Sequence, residues 1–261
     1  GGTGSTLCMQ YYYYNYYSYY NYPSYRACET GWSVAVDPRQ GDVVVASSFF
    51  GTVNPSGVAG AEVTSMGSVD GLVVKYTASG QYVWHKRIGT NSYDFAASVA
   101  IDPEGNVAVA GDIYGLADLG GGLIGSTGSH SAYVVRYDSA GTHLWSKALP
   151  TMNAWIGEIK VDLSGNVIFG GVFTGSLDLG GGPLLGYSST QDGFIAKFSP
   201  QGAHVWSKAI AGPSTDVVRS LAVSAAGEVV AVGRFYRVAN VGGGAVGTRW
   251  GGVAGLVVKS A

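Results

Sequence analysis

The sequence predicts an all-β protein built from four tandem repeats, and three observations lead to this prediction. Two series of aromatic residues recur with a spacing of 61 residues, namely Tyr76, Tyr137 and Phe198, and Trp84, Trp145 and Trp206. Short apolar segments lie between glycine-containing turns in every repeat. No stretch of ten or more residues has the 3.6-residue apolar period of a helix. A fixed period of this size indicates one supersecondary unit stacked on copies of itself.

Each repeat begins with two strands joined by a tight turn. The inner strands are predicted at Trp32–Val36, Ser98–Ile101, Glu158–Val161 and Ser220–Val223. The second strands are predicted at Val43–Ala46, Val107–Ala110, Val167–Gly170 and Val229–Val232. The turns between them contain glycine, as at 102–106 and 162–166, and glycine supplies the positive φ that hairpin turns need.

A long Gly-rich connection then leads to a third strand, and a second tight turn leads to a fourth. The third strands are predicted at Leu72–Tyr76, Tyr133–Tyr137, Phe194–Phe198 and Leu256–Lys259, and each fourth strand holds one tryptophan of the second series. Four antiparallel strands per repeat are typical of a β-propeller blade, with blades at about 31–88, 89–149, 150–210 and 211–261. A β-sandwich or a β-helix also uses short strands. The period is too regular for the first and about twice too long for one coil of the second.

The two ends of the sequence predict how the blades close. The final repeat stops after its third strand, whereas Gly4–Gln10 aligns with Gly141–Lys147, the fourth strand of the second repeat. We therefore expect residues 1–10 to complete the last blade, which would remove both exposed sheet edges. Closure within one chain gives a four-bladed ring, and donation to a neighbouring copy gives a larger ring or a filament.

Composition argues against two classes of partner. The 15 Lys and Arg residues against 17 Asp and Glu residues form no basic footprint for nucleic acid. The longest apolar runs are strand-sized and fall short of the roughly 20 residues that span a bilayer. The start, Gly1-Gly2-Thr3-Gly4, lacks a basic stretch and an apolar segment, so we expect any export signal to have been removed or never recorded.

The segment 11–30 departs from the repeat because it is rich in tyrosine. Ten of the chain's 18 tyrosines lie here: Tyr11, Tyr12, Tyr13, Tyr14, Tyr16, Tyr17, Tyr19, Tyr20, Tyr22 and Tyr25. Mixtures of Tyr, Ser and Asn are typical of antibody binding loops, because tyrosine offers a large flat surface with a polar tip. Trp155 and Trp250 are predicted in connections on the same face and would extend this binding surface. Tyr93, Phe95 and Tyr187 are predicted there too.

Two functions for this segment stay open. It is predicted to mediate recognition or self-association, with other copies of this protein or another surface protein as partner, and with glycans as an alternative ligand. It is otherwise structural, forming extra β-structure or covering apolar surface.

Cys8 and Cys28 are the only cysteines and bracket the segment. In an exported protein they would form a disulfide worth about 3 kcal/mol, so we predict a secreted or cell-surface location.

Residues with catalytic or metal-binding potential are interpreted as structural. We expect the four histidines, His85, His130, His143 and His204, to be surface residues and not a metal site. Asp102 and Asp162 are expected to form turns. A ring of carboxylates around the central channel of the predicted propeller would bind a cation such as calcium. The inner strands, which would line that channel, carry mostly Val, Ala and Ile. The glycine triplets lack the helix and the Lys-Ser/Thr of a phosphate-binding loop. We therefore expect no cofactor, no metal and no enzyme activity.

Several motifs recur between repeats. They are Asp-x-x-Gly-Asn-Val at 102–107 and 162–167, Asp-Leu-Gly-Gly-Gly at 118–122 and 178–182, Asp-Gly-Phe-Ile-Ala-Lys-Phe at 192–198, and Gly-x-His-x-Trp-Ser-Lys at 141–147 and 202–208. In these motifs the sequence from 31 to 261 resembles the SBBP-type β-propeller repeat proteins of bacteria, which are frequent in secreted and surface proteins of myxobacteria. The resemblance implies a propeller fold, an exported location and a scaffold or interaction role.

The repeated tryptophans also resemble the docking tryptophans of quinone-dependent dehydrogenase propellers. An enzyme of that class is the alternative function, although those enzymes need more blades and a dense polar cofactor pocket. We expect the tryptophans to pack between blades instead.

Overall fold

The computed structural model describes residues 30–149, 153–236, 238–240, 245–247 and 253–260, and all helix or strand structure in these residues is β. We call the four main described sheets, with the short ribbons beside them, blades 1 to 4. The first contains β1 (Thr30–Val36), β2 (Val43–Phe49), β3 (Thr52–Val53), β4 (Val63–Thr64), β5 (Asp70–Tyr76) and β6 (Tyr82–Ile88). The second contains β7 (Phe95–Ile101), β8 (Val107–Asp118), β9 (Leu123–Tyr137) and β10 (His143–Ala148). The all-β prediction is confirmed in this part of the chain.

The third and fourth blades repeat this pattern. The third contains β11 (Trp155–Val161), β12 (Val167–Phe173), β13 (Ser176–Asp178), β14 (Pro183–Leu185), β15 (Asp192–Phe198) and β16 (His204–Ile210). The fourth contains β17 (Val217–Val223), β18 (Val229–Tyr236), β19 (Val238–Asn240), β20 (Ala245–Gly247) and β21 (Val253–Ser260).

The sheets are antiparallel meanders with the strand order of propeller blades. The orders are β1-β2-β5-β6, β7-β8-β9-β10 and β11-β12-β15-β16, and the fourth sheet has three described strands, β17-β18-β21. The strand predicted to complete the fourth blade, residues 1–10, lies outside the described residues. Its closure of the ring therefore stays a prediction.

The connections between second and third strands are more ordered than the sequence indicated. They were expected to be Gly-rich loops, but short antiparallel ribbons form there, as β3-β4, β13-β14 and β19-β20. In the second blade the ribbon is continuous with β8 and β9. In the second and third blades the cause is visible at Asp118 and Asp178, whose carboxylates each accept two N–H groups from the following glycine triplet and so close the ribbon turn.

The apolar core lies between neighbouring blades. Val99 and Ile101 of β7 pack in one cluster with Val44 and Val73 of the first blade. Ile159 of β11 packs in the same way with residues of the second blade. A smaller cluster of Phe49, Val53, Leu72 and Val74 lies within blade 1. The three larger clusters each draw residues from two neighbouring blades, so most of the described core depends on stacking.

Hydrogen bonds from each inner strand reinforce these junctions. Each inner strand has a register irregularity near its start, and the residue after it turns its side chain toward the next blade. Ser33 Oγ accepts the N–H of Val99 at 3.2 Å, and Ser98 Oγ accepts the N–H of Ile159 at 3.1 Å. Glu158 accepts the N–H of Leu221 in the same way. These side chains join the inner strands at three successive junctions.

The third strands of blades 1 to 3 also carry a cation that reaches the turns. Lys75 Nζ lies 3.3 Å from Asp42 Oδ2 and donates to the carbonyls of Gly105 and Ser139 in the next blade. Lys197 Nζ lies 2.9 Å from Asp162 Oδ2 at the equivalent position. The cation therefore links the inner turn of its own blade to the neighbouring blade.

Arg136 belongs to the most buried ion pair of this series. Its Nη2 lies 2.5 Å from Asp102 Oδ2, with the two side chains 4% and 1% exposed. Its Nη1 donates to the carbonyl of Gly165 in the third blade.

The tryptophans of the fourth strands contact the following blade. Trp84 Nε1 donates to the carbonyl of Ser139 at 3.1 Å, and Trp145 Nε1 donates to that of Pro200 at 2.9 Å. Each ring lies over a turn glycine, Gly141 or Gly202, whose hypothetical Cβ would meet the ring at 3.1 or 2.8 Å. The prediction of interblade packing is confirmed for Trp84 and Trp145.

The two outermost faces of the described stack are uncovered. Val34 and Val36 form the leading face of blade 1 and are 63% and 58% exposed, although their equivalents in the other blades pack on the preceding blade. Residues Val230 and Val232 form the trailing face of blade 4, and Val232 is 41% exposed. The described residues therefore show stacked blades without a closed ring.

We predict that Gly202→Ala lowers the free energy of unfolding by at least about 1 kcal/mol more than Gly80→Ala. Both glycines have φ near +80° in equivalent turns, so both substitutions carry the same conformational penalty of about 1–2 kcal/mol. Only at Gly202 does the new methyl group also meet a tryptophan, whereas no described atom lies within 4 Å at Gly80. Urea unfolding followed by far-UV circular dichroism measures both. Equal losses would contradict tryptophan packing at the turn.

We predict that Arg136→Ala lowers the free energy of unfolding by about 3–5 kcal/mol, because it leaves the Asp102 carboxylate buried without its counter-charge. The control is Arg39→Ala. Arg39 pairs with Glu104 at 3.4 Å, but the two side chains are 64% and 53% exposed, so we expect a loss below about 1 kcal/mol. Similar effects of the two substitutions in chemical denaturation would overturn the assignment of Arg136 as a junction residue.

Candidate binding surface

Two clefts open at the end of the blades that carries the long connections. The first lies between blades 1 and 2 and has a volume of about 480 Å³. Its lining includes Met66, Arg87, Tyr114, Leu116 and Leu123. The second cleft lies between blades 3 and 4, has a volume of about 380 Å³ and is lined by Thr190, Ser214, Thr215, Arg234 and Tyr236. The two clefts are equivalent in the repeat, because Tyr114 and Tyr236 occupy the same position in β8 and β18.

A pair of buried aspartates lies beside the first cleft. Asp70 and Asp94 are both fully buried. Asp70 accepts the N–H of Met66, and Asp94 accepts both the N–H and the hydroxyl of Thr90 and the N–H of Tyr114. Burial raises the pKa of both carboxyl groups, and these hydrogen bonds act in the opposite direction. Arg87 supplies the compensating charge, with Nε 3.6 Å from Asp70 Oδ2.

A second pair lies beside the second cleft. Asp192 and Asp216 are also fully buried and occupy the positions of Asp70 and Asp94 two repeats later. The two oxygens of Asp192 accept the N–H groups of Tyr187 and Gly212, and Asp216 Oδ1 accepts the N–H of Tyr236. Burial raises the pKa of Asp216 to about 6, and the neighbouring Asp192 charge adds to this shift.

The junction between blades 2 and 3 is built differently. Ser131 and Ala154 replace the two aspartates. Above them the rings of His130 and Trp155 stack with centroids 5.0 Å apart, and His130 Nε2 lies 2.8 Å from Asp112 Oδ1. This junction is therefore closed by an aromatic pair.

Trp155 is the one predicted binding residue within the described part of the chain. The prediction placed it in a connection, but it is the first residue of β11 and is partly buried. Its stacking on His130 gives it a packing role at the rim of the blade junction. The predicted binding residues Tyr11, Tyr12, Tyr13, Tyr14, Tyr16, Tyr17, Tyr19, Tyr20, Tyr22, Tyr25 and Trp250 lie outside the described residues, as do Cys8 and Cys28 with their predicted disulfide.

Other expected surface aromatics divide into two groups. Tyr93 and Tyr187 are 42% and 49% exposed at the loop-bearing end. Phe95 instead begins β7 and packs edge-on against Trp32, with ring centroids 6.3 Å apart. The exposed pair therefore adds aromatic surface beside the clefts.

Two of the four histidines pack against the ribbon turn of their own blade. His143 and His204 are partly buried against the glycine triplets, because a Cβ at Gly121 or Gly181 would lie 2.1 Å from a ring atom. Each ring also forms a 3.0 Å hydrogen bond with a serine hydroxyl on its own strand. Within the residues that the structure describes, no three His, Cys, Asp or Glu side chains are grouped to hold a metal ion.

The turn aspartates behave as the sequence predicted. Asp102 Oδ1 accepts the N–H groups of Glu104 and Asn106, and Asp162 Oδ1 accepts those of Ser164 and Asn166. Among the described residues, no helix is both long and apolar enough to cross a membrane.

The sequence interpretation missed the paired aspartates. The sequence does contain a pattern that indicates these pairs. Asp70 and Asp192 precede a glycine at the start of equivalent third strands, and Asp94 and Asp216 precede equivalent inner strands. The pattern is hard to recognise because the repeat between them has Ser131 and Ala154 at these positions.

We predict that Arg87→Gln lowers the free energy of unfolding by about 1 kcal/mol at pH 8, and by less at pH 4.5. The Arg87 side chain is 35% exposed, so the effect is smaller than for a buried pair. Because the pKa of Asp70 is raised on folding, its contribution favours the folded state at low pH and is lost as the pH rises through the raised value. Removing the guanidinium makes the charged Asp70 carboxylate less favourable, so the variant loses more stability at pH 8 than at pH 4.5. Urea unfolding of the parent protein and the variant at the two pH values measures the change in free energy of unfolding, with Arg39→Gln as control. The same change at both pH values would contradict the prediction.

Comparisons with known proteins support the repeat architecture. The SBBP β-propeller repeat family matches residues 83–119. An uncharacterised WD repeat-containing protein of Acanthamoeba polyphaga mimivirus is 25% identical over 167 residues, which cover 55% of this chain and 12% of that protein.

Two solved structures align with most of the length of this chain. A protein of unknown function from Bacteroides caccae has a TM-score of 0.42 at 11% identity, over 87% of this chain and 60% of that one. Hydrazine synthase of Kuenenia stuttgartiensis has a TM-score of 0.33 at 10% identity, over 87% and 65%. The chain thus spans less than two thirds of each of these relatives. The sequence matches and the stacked four-stranded sheets together support a β-propeller repeat protein.

Proposed function

We propose that this protein is a non-catalytic extracellular module for binding and self-assembly. The stacked blades supply a rigid frame, and the Tyr-rich segment 11–25 supplies a contact surface at the loop-bearing end. The partners are other copies of the protein or another surface protein.

The observation that carries this proposal is the uncovered leading face of blade 1. Val34 is 63% exposed, whereas the equivalent Val99, Ile159 and Leu221 are at most 3% exposed beneath the preceding blade. Burying an apolar side chain of this size stabilises a protein by about 1.5–3 kcal/mol, so this face favours contact with another blade.

A second copy offers a surface of the matching kind. Every internal junction joins a leading face to a trailing face, and the trailing face of blade 4 (Val230 and Val232) is also uncovered, with Val232 41% exposed. Two copies can therefore associate head to tail through the same contact that holds neighbouring blades together.

The first described strand, β1, begins at Thr30, at the end of the blade where the long connections emerge. The same end exposes Tyr114, Leu116 and Leu123 around the first cleft. This concentration of apolar surface supports a contact role there.

Glycan binding is the alternative ligand class, supported by the exposed rings of Tyr93 and Tyr187 near the clefts. A quinone-dependent enzyme gains no support from the tryptophans. Trp84 and Trp145 are already engaged with the next blade through their indole N–H groups.

We predict that the protein is larger than one 26.9 kDa chain by light scattering at micromolar concentration, and that Val34→Glu reduces it to a folded monomer. The control is Val58→Glu, because Val58 has the same 63% exposure but lies in a connection. Deletion of residues 11–25 from the parent protein is also expected to weaken assembly. Circular dichroism checks that each variant is folded.

Three results would redirect the interpretation. A monomeric parent protein would overturn self-assembly, and a glycan array would then test the lectin alternative. Loss of folding in Val34→Glu but not in Val58→Glu would indicate that blade 4 of the same chain covers this face. Unchanged assembly after deletion of residues 11–25 would make that segment structural.

A further inference from the structure

The three described blade junctions treat buried charge in three different ways. At the first junction, Asp70 and Asp94 are accompanied by Arg87. At the second, Ser131 and Ala154 stand in place of the aspartates, so this position holds no carboxylate. The third junction has both aspartates but lacks the arginine.

Ala209 occupies the position of Arg87 in the third blade. Arg87 and Ala209 each lie one residue before the last residue of the fourth strand, at β6 and β16. The register agrees, because Leu72 pairs with Arg87 and the equivalent Phe194 pairs with Ala209. The third junction therefore holds two buried carboxylates without the guanidinium that accompanies the first pair.

One oxygen at this junction is left without a donor. Asp216 is fully buried and its Oδ2 has no hydrogen-bond partner. At the first junction Asp70 Oδ1 also lacks one, but there the carboxylate has the Arg87 guanidinium 3.6 Å from its other oxygen. The oxygens of Asp192 accept only backbone N–H groups, so no described cation pairs with either carboxylate. An unpaired buried carboxylate is costly and needs a counter-charge.

Further oxygen atoms lie close to this carboxylate. The Asp216 N–H donates to the carbonyl of Gln191 at 2.8 Å, which places Asp216 beside the chain segment that runs from Thr190 to Asp192. Thr190 Oγ1 is buried and also has no hydrogen-bond partner. Thr190, Thr215 and Tyr236 line the second cleft, which gives an ion and its water ligands a route to the pair. Arg234 also lines this cleft, but its side chain lies beyond ion-pair distance of both carboxylates.

We propose that a divalent cation of the calcium type binds between Asp192 and Asp216 and replaces the missing arginine. Calcium takes six to eight oxygen ligands from carboxylates, neutral protein oxygens and water, which is the donor set present here. Two carboxylates match its double charge. Asp216 Oδ2 and Thr190 Oγ1 are the free protein oxygens of the site.

The first test is thermal unfolding of the purified protein with EDTA, with CaCl₂ and with MgCl₂ at pH 7.5. At a calcium concentration about 100-fold above the dissociation constant, we expect the midpoint to rise by at least about 5 °C, and by less with magnesium. Asp216→Asn is expected to abolish the rise. The matched control, Asp94→Asn at the first junction, is expected to keep it.

The second test restores the arginine. Ala209→Arg places a guanidinium where Arg87 lies in the first blade, so we expect a higher midpoint in EDTA and at least a twofold smaller calcium response. Ala209→Gln adds similar bulk without charge and is expected to keep the full response.

The outcomes distinguish a calcium ion bound between Asp192 and Asp216 from calcium bound elsewhere and from no calcium binding. No calcium response of the parent protein up to 10 mM, by calorimetric titration and by unfolding midpoint, would overturn the proposal. A response that survives Asp216→Asn would place calcium elsewhere and would also overturn it. Loss of the response in Asp216→Asn and Ala209→Arg, with retention in Asp94→Asn and Ala209→Gln, would establish the site.

Discussion

The structure depends on each blade covering the apolar face of the next. Val99, Ile159 and Leu221 become buried only because a preceding blade lies against them, and the same side of blade 1 is exposed at Val34. The hydrogen bonds from Ser33 and Ser98 set how neighbouring inner strands align, but each contributes only about 1 kcal/mol. Apolar burial across the junction therefore stabilises the stack more than these hydrogen bonds do, and the outer faces of the stack are its incomplete ends.

Strand pairing could be predicted from the sequence because it follows local signals. Turn glycines, alternating apolar residues and the 61-residue period predict the tight-turn hairpins of the four main sheets and the interblade position of Trp84 and Trp145. The ribbons in the long connections were missed because their apolar alternation is weak. Those of the second and third blades depend instead on Asp118 and Asp178 binding the N–H groups of the glycine triplets.

The candidate site was harder to predict because its features belong to pairs of blades. Asp70 and Asp94 are distant enough in sequence to look like unrelated turn residues, and only the stacking of blades 1 and 2 buries them together. The same holds for His130 and Trp155, whose rings meet across a junction. Periodicity shows which positions are equivalent, but it does not show which equivalents face each other or how their charges are balanced.

Repeats with the same backbone can thus differ in chemistry at one junction without loss of the fold. The frame tolerates a carboxylate pair with an arginine, a Ser-Ala pair, or a carboxylate pair with Ala209, because the apolar strands beside each version are equivalent. Removing the aspartates, as at Ser131 and Ala154, removes the need for any counter-charge. Retaining them without an arginine ties the junction to a charge from outside the chain, so the stability of blade 4 would follow the surrounding solution more closely than that of blade 2.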